Sequence, residues 1–175
     1  MKRQRSIKRK LILAILAIAL AMAILLYYQR STQSELVGPY PVQYVIDGDT
    51  IAVDMGQEYA VRVRLIGVDA PESADHDETK NTSEGAIASD YMKELLGGRN
   101  VWLEYDSELK DQYGRTLAYV YLEDKITMAE KLLLSEGYAK VLIIAPNDKY
   151  EKEFRTIENA ARRDGKGFWG TGYFR

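Results

Sequence analysis

The sequence predicts an α+β domain, a small closed barrel of five strands carrying three helices, preceded by an N-terminal transmembrane helix. Three observations point there. Short runs rich in valine, isoleucine and tyrosine, punctuated by Asp-Gly and Met-Gly, open the globular part. Three further segments carry apolar residues at helical spacing, each with a polar cap signal before it and glycine after it. The first thirty residues join a basic cluster to an unbroken apolar run.

In chain order, the basic cluster comes first. Six of the 24 basic residues (Lys2, Arg3, Arg5, Lys8, Arg9, Lys10) lie within residues 1–10, with no acid among them. The net charge of -2 therefore conceals a distinctly acidic remainder. Residues 11–28 are 18 consecutive apolar or aromatic residues, long enough to cross most of a bilayer's hydrocarbon core. Tyr27 and Tyr28 close the run where an interfacial aromatic belt would sit. The basic segment is expected to stay cytoplasmic, which places everything after the span outside the cell membrane. The alternative is a secreted protein, with Ala21-Met22-Ala23 as a cleavage site. Against cleavage, apolar residues continue through Leu26 with no polar segment between. Residues 29–38 (QRSTQSELVG) read as a polar linker, 39–170 as the globular domain and 171–175 as a tail.

Within the domain, Tyr44–Ile46, Thr50–Val53 and Tyr59–Val68 are strand candidates. Alternation from residue 59 puts Val61, Val63 and Leu65 on one face and Arg62 and Arg64 on the other. Val101–Tyr105 and Thr116–Leu122 flank Asp111-Gln-Tyr-Gly114, where Gly114 suits a left-handed turn position. Asn81 with Glu84, Thr127 with Glu130 and Asp148 with Glu151 announce the three helices as capping boxes. Five strands combined with helices in this way suit a barrel of the OB kind.

Composition narrows the chemistry. No cysteine is present, which excludes a disulfide framework, a thiolate nucleophile and a thiolate zinc site. One histidine, His76, cannot form a histidine cluster. Any metal would have oxygen ligands, so a hard cation such as calcium is the expectation. An acidic domain is a poor general binder of nucleic acid, so phosphate chemistry would need a local basic site.

Four features could supply that chemistry, and each alone has an ordinary explanation. Asp47-Gly48-Asp49-Thr50 reads as a hairpin turn, and Asp69-Ala70-Pro71-Glu72 as an acidic loop. Arg64 reads as a strand surface charge and Arg115 as a charge beside a turn. Gly67 suggests a bulge that would reverse side-chain parity and bring Asp69 to the side of Arg64. Together the set is chemically complementary. Asp49, Asp69 and the Ala70 carbonyl offer oxygens to a calcium ion, the two arginines offer forked donors to phosphate, and Glu72 can position or deprotonate a water.

The runs VIDGDTI (45–51), VRLIGVDAPE (63–72), DQYGRTLAYVY (111–121) and EGYAKV (136–141) resemble the signature blocks of the staphylococcal nuclease family, in the family's order. The resemblance spans roughly residues 39–170. It implies a barrel with three helices that hydrolyses DNA and RNA phosphodiesters with calcium. By it, Asp49 and Asp69 are the metal carboxylates, and Ala70 binds metal through its carbonyl. Arg64, Glu72 and Arg115 are catalytic, and Tyr113 lies near the nucleotide's phosphate. Two positions depart from the family pattern: Ala70 replaces a threonine, and Ile143 stands where a tyrosine packs on the base. Residues 73–82, with His76, resemble the loop that follows the catalytic glutamate. Trp102 and Trp169 read as packing residues.

The expectation is a monomeric, membrane-anchored nuclease acting on nucleic acid outside the cell. The rival is a non-catalytic OB-type module that binds nucleic acid or protein.

Overall fold

The computed structural model describes residues 14–16, 18–22, 35–73, 79 and 81–175. The chain divides into two compact units, Met1–Glu35 and Leu36–Arg175. In the first, residues 14–16 and 18–22 are helical and their side chains are exposed. Among the described residues no helix is long and apolar enough to cross a membrane. Much of the span expected over 11–28 lies outside the described residues, as do the basic segment and His76.

Among the described residues the second unit contains seven strands: β1 (Val37–Asp47), β2 (Thr50–Val53), β3 (Val61–Leu65), β4 (Gly67–Asp69), β5 (Asn100–Glu104), β6 (Thr116–Tyr121) and β7 (Lys140–Leu142). Its helices are α1 (Ser83–Leu96), α2 (Ala129–Glu136), α3 (Glu151–Arg163) and the single-turn α4 (Gly167–Gly170). Five strands close into a barrel in the order β1-β2-β3-β6-β5, and β4 pairs with β7 in a separate two-stranded ladder. The predicted α+β barrel with three longer helices is therefore present. Every neighbouring pair in the barrel is antiparallel except β3 and β6, which run parallel with Val63 opposite Thr116.

Alternation fixes what faces inward. Val63 and Leu65 of β3, Val101 and Leu103 of β5, and Ala118 and Val120 of β6 are buried at every second position. On the other face of β3, Arg62 is exposed and Arg64, between Val63 and Leu65, is half-buried. α1 packs on β1 and α2 on α3, which buries Met92, Leu96, Leu133, Leu134 and Phe154. A fully buried side chain of this size contributes about 1.5–3 kcal/mol.

The caps differ from expectation. α1 is capped one residue later than predicted, by Thr82, whose hydroxyl accepts from the Gly85 N–H at 2.9 Å. α2 and α3 have Met128 and Tyr150 at the N-cap position, neither with a side-chain cap hydrogen bond. Thr127 instead donates to Asp124, and Glu130 turns into the core to accept the Val120 N–H at 3.0 Å. A second buried acid, Glu104, is satisfied by the hydroxyls of Tyr121 (2.7 Å) and Tyr150 (2.9 Å) and by the Lys149 ammonium. That environment makes its burial tolerable.

Gly67 does what parity suggested, and more. The predicted strand 59–68 breaks at Ile66, and Gly67, which opens β4, has φ at +83°, a region that L side chains avoid. A methyl at this position would stand 2.7 Å from Cε2 of Phe154, so both the turn and the close approach require glycine. The strand that resumes as β4 leaves the barrel and pairs with β7. Trp102 is half-buried with the Lys125 ammonium 3.5 Å above its ring, and Trp169 packs against Phe174.

Candidate phosphodiesterase site

The β1–β2 turn holds the first acid. Asp49 N–H donates to Asp47 Oδ1 at 3.0 Å, which folds the Asp-Gly-Asp turn on itself. Asp49 is only 6 % exposed, and its carboxylate is surrounded by donors. The Thr50 hydroxyl reaches Oδ1 at 3.1 Å, the Ala70 N–H reaches Oδ2 at 2.8 Å, and an Arg64 terminal nitrogen stands 3.0 Å from Oδ2. Burial nevertheless pushes the Asp49 pKa up to about 7, opposed by the Arg64 guanidinium and the Ala70 N–H and reinforced by Asp47. Burial outweighs the guanidinium at this acid.

Arg64 sits opposite Thr50 in the β2–β3 ladder, which aims it at the turn. Its other terminal nitrogen donates to the carbonyls of Leu65 (2.7 Å) and Val68 (2.9 Å). The nitrogen facing Asp49 also lies 3.8 Å from Asp69 Oδ1. Thus both acids of the sequence analysis meet at one guanidinium, and Gly67 is what swings Asp69 there. Lys140 was not identified from the sequence as a site residue. It stands directly across the β4–β7 ladder from Asp69, with its ammonium 3.2 Å from Oδ2. Only its place inside the run EGYAKV hinted at it, because nothing in that run predicts a pairing with residues 67–69.

Arg115 is held by its own turn. Asp111 takes its Nε at 2.6 Å and its N–H at 2.9 Å, and the same carboxylate accepts the Tyr113 N–H at 3.0 Å. The terminal guanidinium nitrogens carry no bond among the described residues. Arg115 and Arg64 line one cleft of about 500 Å³, together with Tyr113 and the aliphatic Leu142 and Ile144. Tyr113 is 76 % exposed, with the Arg115 guanidinium 5.6 Å from its ring centre. Ile143 is half-buried beside Gly67.

Asp69, Ala70, Glu72 and Lys140 line a second cleft of about 450 Å³, walled by Trp169 and Tyr173. Glu72 is exposed at its rim. Its backbone is anchored by the start of α1: Thr82 N–H donates to the Glu72 carbonyl at 2.9 Å. Gly85 presses so close that a methyl there would lie 2.0 Å from that carbonyl oxygen. The structure thus places Asp49, Arg64, Asp69 and Ala70 in one bonded cluster. Arg115 and Tyr113 join it across the first cleft, and Glu72 across the second.

Among the described residues no three acidic or imidazole side chains converge into a ready metal cage. Two carboxylates do converge, on a position already occupied by a cationic nitrogen, and the more buried of them retains a raised pKa. Every donor in the set is an oxygen. These residues fit a hard divalent cation that completes its shell with water.

The family model for staphylococcal nuclease homologues matches residues 62–171. The chain belongs to the staphylococcal nuclease family. It is 38% identical to the thermonuclease of Staphylococcus intermedius over 170 residues, covering 92% of this chain and 98% of that one. It is 41% identical over 130 residues to the thermonuclease of Staphylococcus hyicus, covering 74% and 75%. An endonuclease of Bacillus subtilis, YncB, matches at 39% over 132 residues, 73% of this chain and 60% of that protein. The matched segment takes in β3, β4, the Arg115 turn and Lys140, so this member of the staphylococcal nuclease family carries most of the cluster inside it.

Proposed function

We propose that this chain is a nuclease that hydrolyses the phosphodiester bonds of DNA and RNA with calcium. The observation that carries the reading is the convergence of Asp49 and Asp69 on Arg64, with Arg115 facing the same cleft. A binding module would not need two acids beside its phosphate-binding arginine, since they repel the ligand. A hydrolase needs them to hold a cation.

Asp49, Asp69 and the Ala70 carbonyl would hold the calcium. When bound, the ion supplies positive charge against the phosphate's equatorial oxygens. Arg115 binds those oxygens with its terminal guanidinium nitrogens, at an angle that Asp111 fixes, and the Arg64 nitrogen that here pairs with Asp49 and Asp69 would turn to them once the cation takes over those carboxylates. Glu72 orients a water and takes its proton as the water oxygen bonds to phosphorus. The ester oxygen then departs with the electron pair of its bond. Lys140 neutralises Asp69 and steadies it from across the ladder. Residues 11–28 would anchor the enzyme in the membrane with its catalytic unit outside, acting as a monomer.

Cleavage of single- and double-stranded DNA and of RNA by the purified full-length chain, with calcium and with chelator, tests the activity. Calcium-dependent cutting that falls by orders of magnitude in Glu72→Gln and Arg64→Ala is the expected result. A folded, calcium-replete protein that cuts nothing would overturn the reading. Membrane fractionation tests the anchor. Intact chain in the salt-washed membrane pellet is expected, whereas a soluble chain beginning after Ala23 by mass spectrometry would show cleavage and secretion.

A further inference from the structure

Beyond the catalytic cluster, a third cleft of about 490 Å³ lies beside the first. The two share Tyr113 and Arg115 as a common wall, and the new one is completed by Glu58 and Tyr59 of the β2–β3 loop and by Arg62 at the start of β3. The parallel pairing of β3 with β6 explains why these parts meet. The segments leading into two parallel neighbours emerge at the same end of the barrel, so residues 54–60 and 111–115 come together there. Tyr59 and Tyr113 are each 76 % exposed, and neither ring stacks on another aromatic side chain among the described residues. Arg62 is two residues before Arg64 on β3, hence on the same face. A step of two residues along a strand covers about 6.6 Å, close to the spacing of successive phosphates in an extended nucleic-acid strand.

We infer that this cleft is a secondary subsite for single-stranded nucleic acid, in which Arg62 takes the phosphate next to the one held by Arg64 and Arg115, and Tyr59 stacks on a base. The inference rests on the nuclease reading for the identity of the first phosphate. Leu142 and Ile144 make the catalytic cleft's wall aliphatic, so a flat stacking surface has to come from the tyrosines. Arg62 and Arg115 outweigh the single acid, Glu58, that lines the subsite. A tyrosine face accepts any base, so the subsite should add affinity and length preference with little sequence preference. Double-stranded DNA keeps its bases stacked in the helix and gains nothing from Tyr59.

Fluorescence anisotropy of labelled oligothymidylate with the full-length chain, in chelator so that nothing is cut, reads the subsite directly. Tyr59→Ala should weaken octanucleotide binding by about 5- to 150-fold, the range for losing one stacked base, and leave dinucleotide binding unchanged. Tyr59→Trp should restore the loss. Arg62→Ala should reduce the slope of log affinity against log salt by about 0.7, the value of one phosphate contact on a single strand. Octanucleotide binding by Tyr59→Ala equal to wild type, or an equal loss for dinucleotide and octanucleotide, would overturn the inference. The two readings fail separately. Length-dependent binding that needs Tyr59 without any calcium-dependent hydrolysis removes the nuclease and keeps the subsite. Hydrolysis with indifference to Tyr59 does the reverse.

Discussion

Replacing Gly67 by alanine tests the device that turns Asp69 toward Arg64. The cost has two parts. At φ +83° an alanine is forced into the left-handed region, which costs about 1–2 kcal/mol. Its methyl would also stand 2.7 and 2.8 Å from two ring carbons of Phe154, a buried residue that cannot retreat freely. Overpacking of this kind costs about 1–3 kcal/mol. The sum, about 2–5 kcal/mol, should lower the urea midpoint by roughly 1–2.5 M. Gly56 provides the control, because it has φ +74° and no neighbour within 4 Å of an added methyl. Gly56→Ala should therefore show only the conformational part. A double-mutant cycle isolates the rest: in a Phe154→Val background, which lacks both ring carbons, Gly67→Ala should cost no more than Gly56→Ala does. Urea unfolding of the four proteins measures the coupling. Equal costs for Gly67→Ala in both backgrounds would refute the claim that Phe154 enforces glycine there.

Other variants probe neighbouring claims. Arg64→Lys should lower kcat by about 100- to 1,000-fold, because one ammonium cannot meet two carboxylates and two carbonyls at once; single-turnover cleavage measures it. Thr82→Ala should cost about 1 kcal/mol of stability through the lost cap, read by thermal unfolding. Burial holds the Glu130 carboxyl well above the ordinary range, so folding takes up a proton there. Its contribution to stability therefore falls as pH rises from the unfolded value, near 4.5, towards the raised folded one. Glu130→Gln removes that dependence, and wild-type stability relative to the variant should decline between pH 4.5 and 7 in urea titrations. A constant difference across that range would show that Glu130 stays ionised.

The barrel was legible because its strands alternate. Val61 to Leu65 shows the inward and outward faces directly, and Gly114 marks the turn between β5 and β6. The ladder between β4 and β7 was not legible, since three-residue strands carry too little periodicity to announce a partner. That is why Lys140 escaped notice as a site residue. The capping boxes failed for a related reason. A Thr or Asn three residues before a Glu is a local signal, and tertiary demands overrode it when Glu130 was drawn to the Val120 N–H. Asp49, Arg64 and Asp69 could be grouped from sequence by chemistry and resemblance. What no linear reading supplies is that Asp49 is buried, so that its carboxyl is held above the usual range despite the guanidinium beside it.

The parallel seam between β3 and β6 has a consequence for when the enzyme becomes dangerous. Arg64 belongs to one side of that seam and Arg115 precedes the other, and Val63 must find Thr116 across a long intervening stretch of chain before the two arginines share a cleft. Parallel pairings so distant in sequence are slow to form. A chain in which that seam is still open holds the two arginines apart, without the shared cleft that the proposed phosphate site needs. With the roles proposed for the two arginines, cleavage would require the seam to close and would be lost when it opens. On that proposal, cleavage would report whether the seam is shut.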